Sequence, residues 1–156
     1  MKGRARTKFG IEAEAESKAH ELPVEQVHGH EVGAIDSIVD IISAAVCIDN
    51  LGVEDVVVSA LSEGHGHVHC QHGVLPVPVP ATANIASSYG LKLHFTDNDG
   101  EMVTPTGAAI AAALRTKDRL PSSCRLLKVG MGAGNKMFNQ ANVLRAMLLE
   151  TSQEED

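Results

Sequence analysis

Hydrophobic and polar positions along the chain alternate in a way that predicts helices interleaved with strands. Between Glu31 and Asn50 the apolar residues Val32, Ile35, Ile38, Val39, Ile42 and Val46 recur at three- and four-residue spacing. That spacing predicts an amphipathic helix, closed by Gly52. Residues 11–20, IEAEAESKAH, suit a shorter helix whose acidic half lies at the positive helix end. VEDVVVSAL (53–61) is Val-rich and short, so it reads as a buried strand, and HVHCQHG (67–73) reads as a second extended segment. LPVPVPAT (75–82) cannot lie inside a sheet, because its prolines remove ladder donors; it is an extended loop or an edge. A helix over 81–89, a strand LKLHF and a turn DNDG follow. Thr104 as N-cap with Pro105 at the first helical position opens another helix in VTPTGAAIAAALR. RLLKVGMGAG and NVLRAMLLE are the last strand candidates, with GMGAGNK as a turn or bulge.

This pattern predicts one α/β (α+β) domain over 11–150, a mixed sheet of about five strands flanked by three or four helices. A flexible basic segment, 1–10, precedes it, and an acidic tail, 151–156, follows it.

Composition narrows the picture. A chain of 156 residues is one domain's worth, and 44% hydrophobic with 21% charged residues is ordinary for a folded protein. Aromatics are only 3% and Trp is absent, so the core must be aliphatic. A net charge of −7 provides no basic footprint and argues against nucleic-acid binding, while remaining compatible with a cation. Three widely spaced cysteines, Cys47, Cys70 and Cys124, do not form a disulfide framework. No signal peptide is readable, and Asp40 interrupts the longest apolar stretch, so neither export nor a membrane span is expected. The setting implied is cytoplasmic and reducing.

Candidate chemistry concentrates in three places. VHGHEVGAIDSIVDII (27–42) places His28, His30 and Glu31 at the start of the first long helix. Asp36 and Asp40 follow one turn apart on a face roughly opposite the Ile/Val stripe. They are either the solvated side of an amphipathic helix or part of a carboxylate and imidazole cluster at its positive end. GHGHVHCQHG (64–73) carries His65, His67, His69, Cys70 and His72. In one extended strand His65, His67 and His69 share a face and Cys70 and His72 share the other. Imidazoles two residues apart, helped by a thiolate, suit Ni, Cu or Zn, although no C-x-x-C pair and no H-E-x-x-H helix is present. VTPTGAA presents backbone N–H groups at a helix start, where a phosphate can sit, and equally reads as a well-capped helix.

Taken in order, EQVHGHEVGAIDSIVDI, G-x-G-x-V-x-C-x-H-G at 64–73, LPVPVPAT, EMVTPTGAA and VGMGAG closed by NVLR resemble the LarC family of nickel-insertion proteins. The resemblance covers nearly everything from Ile11 to about Glu150. It implies insertion of Ni(II) into pyridinium-3,5-bisthiocarboxylic acid mononucleotide, with CTP consumed. By position it implies His28, His30, Cys70 and His72 as metal ligands. Glu31 is the implied base, with Asp36 and Asp40 as ligands or orienters, and Thr104, Thr106 and Gly107 receive the substrate's phosphate. His65, His67 and His69 stand where relatives more often have ordinary residues, so a site on them would be peculiar to this chain. Family members usually carry a further amino-terminal segment and a carboxy-terminal domain associated with CTP and Mg or Mn. On that reading this chain works with a companion chain carrying those parts and self-associates. Two rivals follow from the same residues: a nickel-holding module on the His65/His67/His69 strand, and a structural half-protein without metal affinity.

Overall fold

The computed structural model of the chain describes residues 35–70 and 73–151. The chain divides into two compact units between Asp118 and Arg119. The α/β class holds, with three helices and six strands among the described residues. The predicted helix over 11–20, the amino-terminal segment and the tail beyond Thr151 lie outside them.

The first unit begins with α1 (Ile35–Leu51), stopped by Gly52 with its backbone at φ 61° and its N–H bonded to the Asp49 carbonyl. The helix is the one the periodicity predicts, but its buried face differs. Ile41 and Ala45 are buried, whereas Ile38, Val39 and Ile42 of the predicted stripe are exposed. An aliphatic-rich helix offers more than one apolar stripe, and packing of α1 on α3 (Pro105–Leu114) selects between them.

The segment 53–61 is not the predicted buried strand. Its pairing is a single bridge from Val57 to Lys117, and only at Leu61 does β1 (Leu61–His65) begin. Thr116 and Lys117 N–H both donate to the Val56 carbonyl, and side chains reinforce the bridge. The Thr116 hydroxyl donates to Asp55, Val56 N–H donates to Thr116 Oγ1 at 2.8 Å, and Lys117 Nζ lies 2.8 Å from Asp55 Oδ2. The Lys117 ammonium, and after it the Thr116 hydroxyl, hold the Asp55 carboxyl below its ordinary value of 3.8. A depressed carboxylate stabilises the folded state above its unfolded pKa and loses that contribution as pH falls through the folded value. Asp55→Asn should therefore melt slightly below the parent at neutral pH, and the two melting curves should converge only below pH 3.8. A difference that persists unchanged under acid, followed by thermal denaturation across pH, would remove the role given to this pair.

From Gly66, with φ at 82°, the chain turns into β2 (His67–Cys70), which pairs antiparallel with β3 (Gly73–Pro76). The prolines that follow stop this hairpin from widening, as expected. Val77–Pro78 is cis, and Pro80 opens α2 (Pro80–Tyr89). Gly90 closes α2 in the left-handed conformation, and the Arg115 guanidinium donates to the Gly90 and Tyr89 carbonyls, a cation on the negative helix end. β4 (Leu93–Asp99) runs beyond the predicted LKLHF through most of the predicted turn, and pairs parallel with β1. The core lies between α2, α3 and this pair: Ala81, Ile85, Ala86, Leu91, Val103, Ala108 and Ala109 are buried, with Leu61 and Leu93 against them. It is aliphatic, as composition requires, and its alanines let the two helices approach closely.

The second unit is a hairpin of β5 (Arg125–Ala133) and β6 (Val143–Glu150) with a register shift between Leu126 and Lys128. Gly130, Met131 and Gly132 belong to β5, so GMGAGNK is mostly strand and turns only from Gly134. In place of one mixed sheet of about five strands, the described residues form three two-stranded sheets. Among the described residues β4 pairs with β1 alone, the prolines end β3, and 53–60 stays outside the ladder.

Candidate functional site

The second and third motifs meet at the end of β1. Period-two alternation puts Glu63 on the same side of β1 as Leu61, toward the core, and its side chain is fully buried. Its Oε1 accepts from Gly64 N at 2.9 Å, Met102 N at 2.8 Å and Val103 N at 3.2 Å. Its Oε2 is buried and has no hydrogen-bond partner among the described residues. The Glu63 carbonyl accepts from the Thr96 hydroxyl, and Gly100 N–H donates to the His65 carbonyl at 2.8 Å. Asn98, also buried, donates through Nδ2 to Thr96 Oγ1 and toward the Met102 sulfur. These bonds seat the 96–103 segment on the end of β1. They also set the start of α3, where Thr104 Oγ1 accepts from Gly107 N at 3.1 Å.

Two glycines permit the seating. A β-carbon on Gly64 would run into the Gly100 carbonyl and lie 2.7 Å from the Asn98 carbonyl oxygen. One on Gly66 would strike the Asp99 carboxylate. The spaced glycines of the 64–73 motif therefore mark close backbone approach as well as a turn.

Thr104 is the predicted N-cap, and Gly107 supplies the N–H it holds. Because Pro105 has no N–H and Gly107 already has a partner, the first turn of α3 is partly satisfied from within. Thr106, half-buried in that turn, completes the predicted phosphate set. Cys70 ends β2 and is exposed, as are His65, His67 and His69. The three histidines do not share one extended face. Gly66 breaks the strand, leaving His65 on β1, paired in register with Asp99, and His67 and His69 on β2. Asp40 is exposed on α1, one turn from Asp36 on the same helix. His28, His30, Glu31 and His72 lie outside the described residues. Among the described residues no three His, Cys, Asp or Glu side chains gather closely enough to hold a metal. All three cysteines are free.

Glu63 escaped the reading by motif. The local sequence offers only a carboxylate two residues past Leu61 and beside a glycine, which names no partner.

The likeness to known proteins extends along the whole chain. Residues 1–156 match the family described as nickel insertion protein. The chain belongs to the nickel insertion protein family. It is 60% identical over 142 residues to the pyridinium-3,5-bisthiocarboxylic acid mononucleotide nickel insertion protein of Alkaliphilus metalliredigens, covering 91% of this chain and 34% of that one. The protein of the same description from Staphylococcus epidermidis is 40% identical over 99% of this chain and 39% of its own length. That from Akkermansia muciniphila is 45% identical over 94% and 36%. This nickel insertion family chain thus spans between a third and two-fifths of the curated relatives it matches. No solved structure matches it. Within the described residues no helix is long and apolar enough to cross a membrane.

Proposed function

We propose that the chain forms part of a nickel insertase that places Ni(II) into pyridinium-3,5-bisthiocarboxylic acid mononucleotide. The observation that carries this reading is the match to nickel insertion proteins along all of residues 1–156. Nickel is the cargo here, held and then handed to two sulfurs and a ring carbon of the pyridinium. His28, His30 and His72 are the ligands of choice, with Cys70 as a softer fourth. Forming the carbon–nickel bond releases the ring proton, which passes to the Glu31 carboxylate. Asp36 and Asp40 orient the ligands or join them. Thr104, Thr106 and Gly107 receive the phosphate at the positive end of α3. CTP, with Mg or Mn, acts through a part of the insertase outside the region matched here, and the chain self-associates.

The test is anaerobic Ni(II) titration of reduced, chelator-stripped protein, with and without the mononucleotide. Near-stoichiometric nickel should survive dialysis. His28→Ala or His72→Ala should weaken it at least about tenfold, a loss that even outer-shell changes produce. Retention that disappears only when His65, His67 and His69 are all replaced by Ala would move the reading to a nickel-holding module. No retention in any form would leave a structural half-protein.

A further inference from the structure

We propose that Glu63 is a positioning residue: its carboxylate fixes the start of α3 so that the phosphate end of the mononucleotide is received in one place. This rests on the reading of Thr104 to Gly107 as the phosphate-binding turn. Filling the inward face of β1 does not require an acid, since Leu61 does that two residues earlier. What requires an acceptor is the backbone opposite. Gly64, Met102 and Val103 all aim their N–H groups at one oxygen, Oε1, at 2.8–3.2 Å. Two of those donors, Met102 and Val103, directly precede the N-cap Thr104. The Val103 carbonyl is held as well, accepting from the buried Thr82 hydroxyl of α2 at 3.1 Å. Residue 103 is thus gripped at both ends of its peptide frame, and Thr104 is its covalent neighbour. A retreat of Oε1 releases the two amides that directly precede the N-cap, and misplacement by about an ångström can cost a reaction about a hundredfold.

The grip uses only one oxygen. Oε2 is buried without a partner among the described residues, so an amide that presents its carbonyl oxygen at the Oε1 position should serve as well. Shortening the side chain should not. That contrast separates positioning from a direct role of the charge.

The experiment uses the full chain, uniformly ¹⁵N-labelled, as parent, Glu63→Gln and Glu63→Asp. Amide exchange is read at Gly64, Met102, Val103 and Gly107. Binding is read with nicotinate mononucleotide, a pyridinium mononucleotide lacking the sulfurs, and with Ni(II) alone. Glu63→Gln should keep the amide protection and bind the nucleotide within about threefold of the parent. Glu63→Asp should lose protection at Met102 and Val103 and bind the nucleotide at least about tenfold more weakly. Its circular dichroism and its uptake of Ni(II) alone should be unchanged, which a general loss of structure would not allow. Glu63→Asp binding nucleotide like the parent after losing protection overturns the proposal. So does Glu63→Gln losing affinity with protection intact, because the charge would then act directly. If the parent binds no nucleotide, the phosphate reading itself falls and takes this inference with it. If the parent binds and all variants behave alike, only the positioning role falls.

Discussion

Gly64→Ala should destabilise the first unit by about 3 kcal/mol or more, among the largest effects open to a single methyl group. The added carbon would run into the Gly100 carbonyl and sit 2.7 Å from the Asn98 carbonyl oxygen, both main-chain atoms that no rotamer change can remove. Relief requires β1 and the 98–100 segment to part. That movement strains the Gly100 N–H to His65 carbonyl bond and the junction at Glu63, whose neighbouring donor is Gly64 itself. Gly130→Ala is the matched control, because a β-carbon there meets nothing within 4 Å. Thermal melts of the two variants should separate clearly, with Gly130→Ala close to the parent. Equal melting temperatures would mean that the packing described at β1 is wrong.

Ile85→Ala should cost about 2–5 kcal/mol, the range for removing a large aliphatic side chain from a packed interior. Ile85 is 1% exposed and lies on α2 in a core whose other buried members are four alanines, Leu91 and Val103. With no aromatic ring nearby in that cluster to swing into the space, the cavity should persist. Ile85→Val, which removes one methylene, should cost about 0.5–1.5 kcal/mol. Denaturant titration monitored by circular dichroism measures both, at unchanged slope if only stability has moved. A loss below that of the valine variant would show that Ile85 is not central to the core.

Elements whose signal is local were legible in the sequence. The 104–114 helix was announced by Thr104 and Pro105, and the 80–89 helix closes at Gly90, because caps and stops depend on a few adjacent residues. β5 and β6 followed from runs of apolar and β-favouring residues. Signals that depend on a partner were not. The valines of 53–58 carry strand propensity, but among the described residues only Lys117 offers them a ladder position. Which stripe of α1 is buried was decided by α3, since Ile41 and Ala45 are no more apolar than Ile38 and Ile42.

The candidate site divides in the same way. Residue types and order suffice to place the chain among nickel insertion proteins, because the histidines, carboxylates and turn glycines of the motifs are written in the sequence itself. The histidine strand did not survive folding as one face, because a single positive φ at Gly66 moves His65 and His67 onto different sheets. Glu63 gained its importance only in three dimensions. Its three donors are one and about forty residues away along the chain, and a distant backbone amide leaves no mark on the sequence near the side chain it binds. The sequence by itself determined the local elements, the aliphatic core and the family. The tertiary structure decided which apolar face is covered and which carboxylate holds the start of α3, because both depend on contacts between residues far apart in the chain.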